Sequence, residues 1–375
     1  MQGSSAIPSV TEPVSARFLR ATHMDFPLLF GLLVLCAIGL IALYSAGDQS
    51  NPMIVRQVIR LGVGFAALVV VARIDPQTLR TWTPWLFGIS FLLVAAVPLV
   101  GASGHGAQRW IDLQVVRFQP AELLKLTVPM AVAWYLYDRN LPMGFRDFVV
   151  VVLIVAAPTA LIIMQPDLGT AILVAVSGFF GMFLAGLRWR IIFAVPLLLA
   201  VAAPVAWMGL RPYQKERILT FLSPESDPLG RGWHIIQSKI AIGSGGLYGK
   251  GLFNGTQSHL EFLPERNTDF ILAVIGEEFG LYGILALLGV YAWLIAHGLK
   301  IALEARDTYS RLLAGSLSLT FFVYVFVNAG MVTGLLPVVG VPLPLVSYGG
   351  TSMVTLLVGF GILMSIQTHR RFLNT

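Results

Sequence analysis

Charge is scarce in this chain of 375 residues: only 12% are Asp, Glu, Lys or Arg, while 56% are hydrophobic. A mean hydropathy of +0.78 goes with that scarcity and excludes a soluble globular domain, which carries about 25% charged residues. Cysteine is nearly absent. The single Cys36 lies inside an apolar run, which rules out a disulfide framework and a thiolate metal site. Six dispersed histidines give no metal-ligand spacing. There is no basic run interleaved with aromatics, so the net charge of +6 reads as anchoring at a membrane surface and not as nucleic-acid binding. Residues 1–25 lack the apolar core of a signal peptide, so the first apolar run is expected to remain as a signal anchor.

What is present is a series of long apolar runs. A membrane-crossing helix needs roughly 20 such residues, and the chain divides into ten spans at about 26–45, 54–73, 82–100, 120–137, 146–163, 168–186, 190–209, 276–298, 310–333 and 345–367. The runs are continuous and lack the alternation of barrel strands. The expected fold is therefore an all-α polytopic membrane protein with ten transmembrane helices: a tail at 1–25, a membrane domain at 26–367 with a large extracytoplasmic loop at 210–268, and a tail at 368–375. Cytoplasmic termini place Arg17/Arg20, Arg73/Arg80, Arg139/Arg146, Arg188/Arg190, Lys300/Arg306/Arg311 and Arg370/Arg371 inside. No inverted repeat is evident in the short motifs.

Function is then expected in the longer external segments. In GASGHGAQRWIDLQVVRFQPAELLK, Pro120 opens a helix, Glu122 sits in its first turn and Lys125 follows three residues on, so the two can pair. The plain alternative is an interfacial salt bridge with a snorkelling lysine. Against it, Lys125 is the only lysine in any predicted span, and an ionisable group at that depth is a site candidate. Arg109, beside Trp110, adds a second cation. In GRGWHIIQSKIAI, Trp233, Ile236 and Ile240 have helical spacing, for a helix lying on the outer leaflet or packing on the bundle. The following GSGGLYGKG, with Lys250, is not a phosphate loop, because Ser244 and Gly251 break that pattern; it reads as a hinge or a backbone nest for an anion. In LEFLPERNTDFILAVIGEEFGLYG, a helix from Thr268 to His297 would extend about 45 Å, with Asn267 or Thr268 as cap. Its dipole is expected to keep Asp269 ionised as a proton acceptor at the lipid boundary; a mere helix start is the alternative. Glu265, Glu277, Glu278 and Lys250 are candidate supporting groups. QPDLGT at 165–170 joins two spans, and the Gly- and Pro-rich stretch 328–352 suggests a re-entrant element facing a cavity.

Together, GAQRWIDL, RFQPAELLKL, QPDLGT, AIGSGGLYGKG, FLPERNTDFILAVIGEEFG and GLLPVVGVPLPLVSYGGTS resemble the SEDS family (shape, elongation, division and sporulation) from about Asp25 to Phe372. The short tail and the PERNTDF form are more similar to its elongation members than to its division members. Ala121 stands where the family often has Ser. The resemblance implies a peptidoglycan glycosyltransferase that polymerises lipid II on the outer face of the bacterial cytoplasmic (inner) membrane. Asp269 matches the family's essential aspartate. It would take the proton of the acceptor's GlcNAc 4-hydroxyl as that oxygen attacks MurNAc C1 with inversion, expelling undecaprenyl pyrophosphate. Arg109 and Lys125 would supply positive charge at the diphosphate, with Glu122 holding Lys125. A class B penicillin-binding protein and the elongation machinery are the implied partners. No cofactor is implied, and a divalent cation at the diphosphate is compatible with the chemistry. Two other classes stay open. A lipid II flippase calls for ionisable groups across both leaflets, whereas these charges cluster on one side; a scaffold would not need Asp269.

Overall fold

The computed structural model describes residues 23–104, 107–112, 117–187, 231–259 and 265–372, with isolated positions between 191 and 215. Its elements are α1 (Phe26–Ala46), α2 (Asn51–Ala72), α3 (Pro76–Val100), β1 (Ala102–Gly104), β2 (Ala107–Asp112), β3 (Arg117–Phe118), α4 (Ala121–Leu136), α5 (Phe145–Met164), α6 (Leu168–Leu184), α7 (Arg231–Gly245), α8 (Thr256–His259), α9 (Ile271–Glu304), α10 (Thr308–Val332) and α11 (Thr351–Phe372). Seven of these helices are long and apolar enough to cross a membrane, and α6 is a shorter apolar helix. Nine of the ten predicted spans overlap helices here. The seventh, 190–209, lies for the most part outside the described residues, as do 216–230 and 260–264 of the long loop.

Short acidic caps start several helices where the sequence turns from polar to apolar. The carboxylates of Asp25, Asp75, Asp167 and Asp307 accept from Leu28, Gln77, Thr170 and Ser310 N–H at 3.1, 2.9, 3.3 and 2.9 Å, satisfying donors a helix start leaves open. Helix α4 is buried on nearly every face and α10 over most of its length, as expected of helices that are apolar all round. Of the others, α6 packs against both, α3 against α4 and α9 against α10; α1 lies against α9 and α11 against α2, while α2, α3 and α5 expose most of their apolar surface.

Three details differ from expectation. The segment joining α3 to α4 forms a small antiparallel meander, in which Ile111 pairs with Phe118; its strands are too short for a period to be read. On α7 the buried face carries Ile235, Ser238 and Ala241 and not the aromatic and isoleucine stripe, and Ile240 is 45% exposed. That face packs on the bundle, with Ser238 Oγ donating to Val332 O at 2.7 Å. Helix α9 is not one continuous rod. It breaks at Gly280, where φ is 65° and ψ −161°, so the stretch before the break is a separate, buried first segment.

The break explains the glycine-rich segment that precedes it. The N–H groups of Lys250 and Gly251 donate to the carbonyls of Glu277 and Glu278 at 3.0 and 2.9 Å, and Leu281 and Tyr282 N–H donate to Gly246 and Leu247 O at 3.0 and 3.2 Å. A Cβ on Gly249 would lie 2.1 Å from Glu278 O. The segment is therefore backbone packed on backbone, neither a free hinge nor an anion nest, because those N–H groups are spent on the carbonyls released at the break.

Candidate functional site

The first turns of α4, α6 and α11, and the residues just before α9, line a cavity of about 310 Å³. Helix starts on one space favour negative charge there, and the carboxyl groups of Glu122, Asp167 and Asp269 share it with the cations of Arg109 and Lys125. Arg109, Glu122, Lys125 and Asp269 all line it, together with Gln119, Asp167, Tyr348 and Ser352.

Lys125 Nζ donates to Glu122 Oε1 at 2.6 Å, with the side chains only 8% and 5% exposed, so the pair is internal and not a snorkelling surface bridge. Thr355 donates to the other Glu122 oxygen at 3.2 Å, and Lys125 Nζ lies 5.1 Å from the centre of the Tyr324 ring. Arg109 is fixed through its guanidinium, which donates from Nε to Gln165 O at 3.3 Å and from Nη2 to Pro166 O. These contacts give QPDLGT its place. Asp167 caps α6 and also accepts from Gln119 Nε2 at 2.6 Å, while Gln165 donates to Val94 O at 2.8 Å.

Asp269 sits just before α9, whose cap position is Phe270 with no side-chain capping bond. Neither Asn267 nor Thr268 caps the helix; Thr268 donates instead to the Glu265 carboxylate at 2.8 Å. Burial, reinforced by the Glu265 charge, pushes the Asp269 carboxyl up to about 6. That reverses the expectation that the helix dipole dominates, because desolvation disfavours the ionised form more strongly here. The backbone at this point is held on three successive carbonyls. Tyr348 N–H donates to Asn267 O at 2.8 Å, Ser347 Oγ to Thr268 O at 2.5 Å, and Asn328 Nδ2 to Asp269 O at 2.9 Å. Asn328 Nδ2 also donates to Val341 O at 2.8 Å.

The stretch 333–350 between α10 and α11 is irregular, and its residues Gly340–Pro342 and Tyr348–Gly350 form a wall of the cavity. The supporting candidates fall elsewhere. Glu277 is fully buried behind the site, accepting from Lys250 Nζ at 2.6 Å, Thr256 Oγ1 at 3.0 Å and Gln257 N–H at 3.0 Å. Glu278 accepts from Ser45 Oγ at 2.5 Å. Glu277, Glu278 and Lys250 thus fasten the loop and α1 to the first segment of α9, and only Glu265 acts on Asp269 directly. Gln119, Asp167, Tyr324 and Asn328 had no assigned role in the sequence; Tyr324 and Asn328 are polar groups inside an apolar span, whereas Gln119 and Asp167 stand just before one, within RFQPAELLKL and QPDLGT. Among the described residues no group of three metal-ligating side chains converges, and Glu122 and Asp167 are committed to Lys125 and Gln119.

Fold and cavity together define a multi-pass membrane protein whose pocket brings two cations, Arg109 and Lys125, beside three carboxyl groups, Glu122, Asp167 and Asp269, the last of raised basicity. The chain matches the family model described as "Cell cycle protein" (FtsW, RodA and SpoVE) over residues 19–372. It is 50% identical to the peptidoglycan glycosyltransferase MrdB of Escherichia coli K12, over 96% of this chain and 98% of that one. Among solved structures it is similar to a chain of a peptidoglycan synthase complex, with a TM-score of 0.82, 34% identity and coverage of 92% and 98%. It is also similar to the rod shape determining protein RodA of Thermus thermophilus, with a TM-score of 0.71, 29% identity and coverage of 92% and 97%. The chain belongs to the FtsW/RodA/SpoVE family, the SEDS family of its motifs, and it is a peptidoglycan glycosyltransferase.

Proposed function

We propose that the chain polymerises lipid II into glycan strands at the outer face of the cytoplasmic membrane, with Asp269 as general base. The observation that carries this reading is that Asp269, Arg109 and Lys125 line one cavity. The acceptor's GlcNAc 4-hydroxyl loses its proton to the Asp269 carboxylate as its oxygen bonds to the donor's MurNAc C1. The C1–O bond to undecaprenyl pyrophosphate breaks on the opposite face, with inversion. Arg109, Lys125 and the surrounding helix starts offset the charge that builds on the departing diphosphate. Glu122 holds Lys125 in place, and no step is routed through a metal.

The test is Asp269→Asn, purified and supplied with labelled lipid II. It keeps the side chain's size but removes the proton acceptor, so strand formation is expected to fall at least a hundredfold while the protein stays folded. Strands of normal rate and length from this variant would exclude the base role. A class B penicillin-binding protein is the proposed partner, bringing transpeptidation beside the polymerase.

A further inference from the structure

Helix α2 turns most of its surface outward, yet its buried stripe opens on a polar side chain: Gln57, Leu61, Gly64, Leu68 and Ala72. The apolar part packs on α11, where a Cβ on Gly64 would lie 2.4 Å from the Leu357 side chain. Gln57, with Arg60 three residues on and on the same side of the helix, reaches instead into the irregular stretch that walls the cavity. Gln57 Nε2 donates to Ser347 O at 3.2 Å. Arg60 Nη1 donates to Gly349 O at 3.2 Å, and its guanidinium lies 4.6 Å from the centre of the Tyr348 ring. Among the described residues Arg60 has no carboxylate partner. An arginine inside a membrane-crossing helix, held by a carbonyl and a ring alone, is costly and marks a place where function is to be sought.

Two further features of this contact are unfavourable in themselves. Gln57 is buried and its Oε1 accepts no hydrogen bond, which costs about 1–3 kcal/mol. Leu345, in the turn that Gln57 and Arg60 hold, is buried with a φ of 60°, a left-handed conformation worth about 1–3 kcal/mol of strain outside glycine. What the turn holds in its own right is the backbone ahead of α9. Ser347, whose carbonyl takes the Gln57 amide, donates through Oγ to Thr268 O at 2.5 Å, and Tyr348, whose ring lies under Arg60, donates through N–H to Asn267 O at 2.8 Å. The two carbonyls immediately before Asp269 are thus fastened to a turn that α2 fastens in its place. We propose that Gln57 and Arg60 are positioning residues, which set the place of the Asp269 carboxylate in the cavity through residues 347–349. This role presupposes that Asp269 is the base. Neither side chain lines the cavity, so their effect falls on the rate of the chemical step and not on substrate affinity.

The experiment uses the purified full-length protein in nanodiscs with labelled lipid II and compares Gln57→Met, Arg60→Met and Arg60→Lys. Gln57→Met keeps the volume and removes the orphaned Oε1 together with the donor to Ser347 O, so the melting temperature is expected to hold. Its kcat is expected to fall about tenfold, the scale of loss when a reacting group is displaced by a fraction of an ångström, with KM for lipid II unchanged. Arg60→Met should act in the same way. Arg60→Lys, which keeps a cation over the Tyr348 ring and a donor for Gly349 O, should recover most of the rate. Amide exchange at 267–269 and 347–349 should quicken in both Met variants. Wild-type kcat, or unchanged exchange at these residues, overturns the proposal. A raised KM with kcat held overturns it too, since it makes the side chain a substrate contact, and so does a loss of rate matched by loss of folded protein. Gln57→Met decides alone if Arg60→Met does not fold. Asp269→Asn separates this proposal from the catalytic one. Polymerisation retained in that variant removes the base role, whereas wild-type kcat in Gln57→Met removes the positioning role and leaves the base role standing.

Discussion

At the scale of single residues, the site turns on a carboxyl whose basicity is raised and whose backbone is tied down. A carboxyl pushed up to about 6 is still ionised at neutral pH and is a stronger base than an ordinary aspartate. In the proposed base role the working form is the carboxylate, so kcat/KM is expected to hold steady above that value and to fall as pH drops through it; a profile without an acidic limb near 6 contradicts the proposal. Stability runs the other way. The folded value lies above the unfolded one, so the contribution of Asp269 is full at low pH and is lost as pH rises through about 6. Asn328, fully buried, spans the Asp269 and Val341 carbonyls. Asn328→Ala leaves both unsatisfied, at about 1–3 kcal/mol each, and is expected to lower kcat more than KM in a lipid II turnover assay. An equal change in both parameters would point to loss of folded protein alone. Lys125→Ala strands Glu122 as an unpaired buried charge and should cost about 3–5 kcal/mol, read as a lower melting temperature. In Glu122→Gln/Lys125→Met the fold should recover while polymerisation does not; recovery of both makes the pair purely structural. Asp269, Arg109, Glu122 and Lys125 were legible in the sequence because charge is rare near an apolar span. Asn328, within α10, and Gln119, just before α4, were not, since a neutral amide reads the same whether it packs or positions.

At the scale of elements, the first segment of α9 is a platform assembled from parts distant in sequence. The Glu277 carboxylate gathers Lys250, Thr256 and Gln257, and the carbonyls released at Gly280 are taken up by the glycine-rich segment. Apolar residues flank the break on both sides, with only Glu277 and Glu278 between them, so hydropathy carries one rod through it and hides it. The glycines were visible, but their need follows only from two backbones in contact. At Gly280 a Cβ would lie 2.4 Å from Gly249 N and 2.6 Å from Leu247 O, on a residue with positive φ. Gly280→Ala is therefore expected to destabilise the protein by about 1–3 kcal/mol and to loosen 246–257, seen as faster amide exchange there. Exchange and melting temperature equal to the wild type would mean that the break tolerates a side chain. The caps at Asp25, Asp75, Asp167 and Asp307 were the opposite case. Each is a local signal beside an apolar run, and the apolar runs alone, set to begin at 26, 82, 168 and 310, come within several residues of the helix starts at 26, 76, 168 and 308.

At the scale of the molecule, burial is uneven in a way that bears on assembly. Helices α10 and α11 are mostly enclosed, while the part of α9 beyond the break turns one face outward. That face runs through Tyr282, Leu285, Ala286, Gly289, Ala292, Trp293 and Ala296, all exposed. Of the small residues Gly283, Ala286 and Gly289, spaced three apart in the sequence, Gly283 is not part of it: a Cβ there would lie 2.2 Å from Phe279 Cβ, so it packs inward against the break. Gly289 has nothing within 4 Å of that position, and Phe322 and Phe326 of α10 are exposed as well. Apolarity alone drives no association between helices in a bilayer, and close approach over small residues does. The proposed partner's single transmembrane helix is accordingly expected to lie along Ala286, Gly289 and Ala292, flanked by Leu285 and Trp293. Gly289→Trp fills the approach without touching the cavity. It should lower recovery of the partner in a pull-down and remove partner-stimulated polymerisation, while lipid II turnover by the isolated chain is unchanged. Crosslinkers placed at 282–296 that find no partner, when crosslinkers on α2, α3 or α5 do, would move the docking face elsewhere.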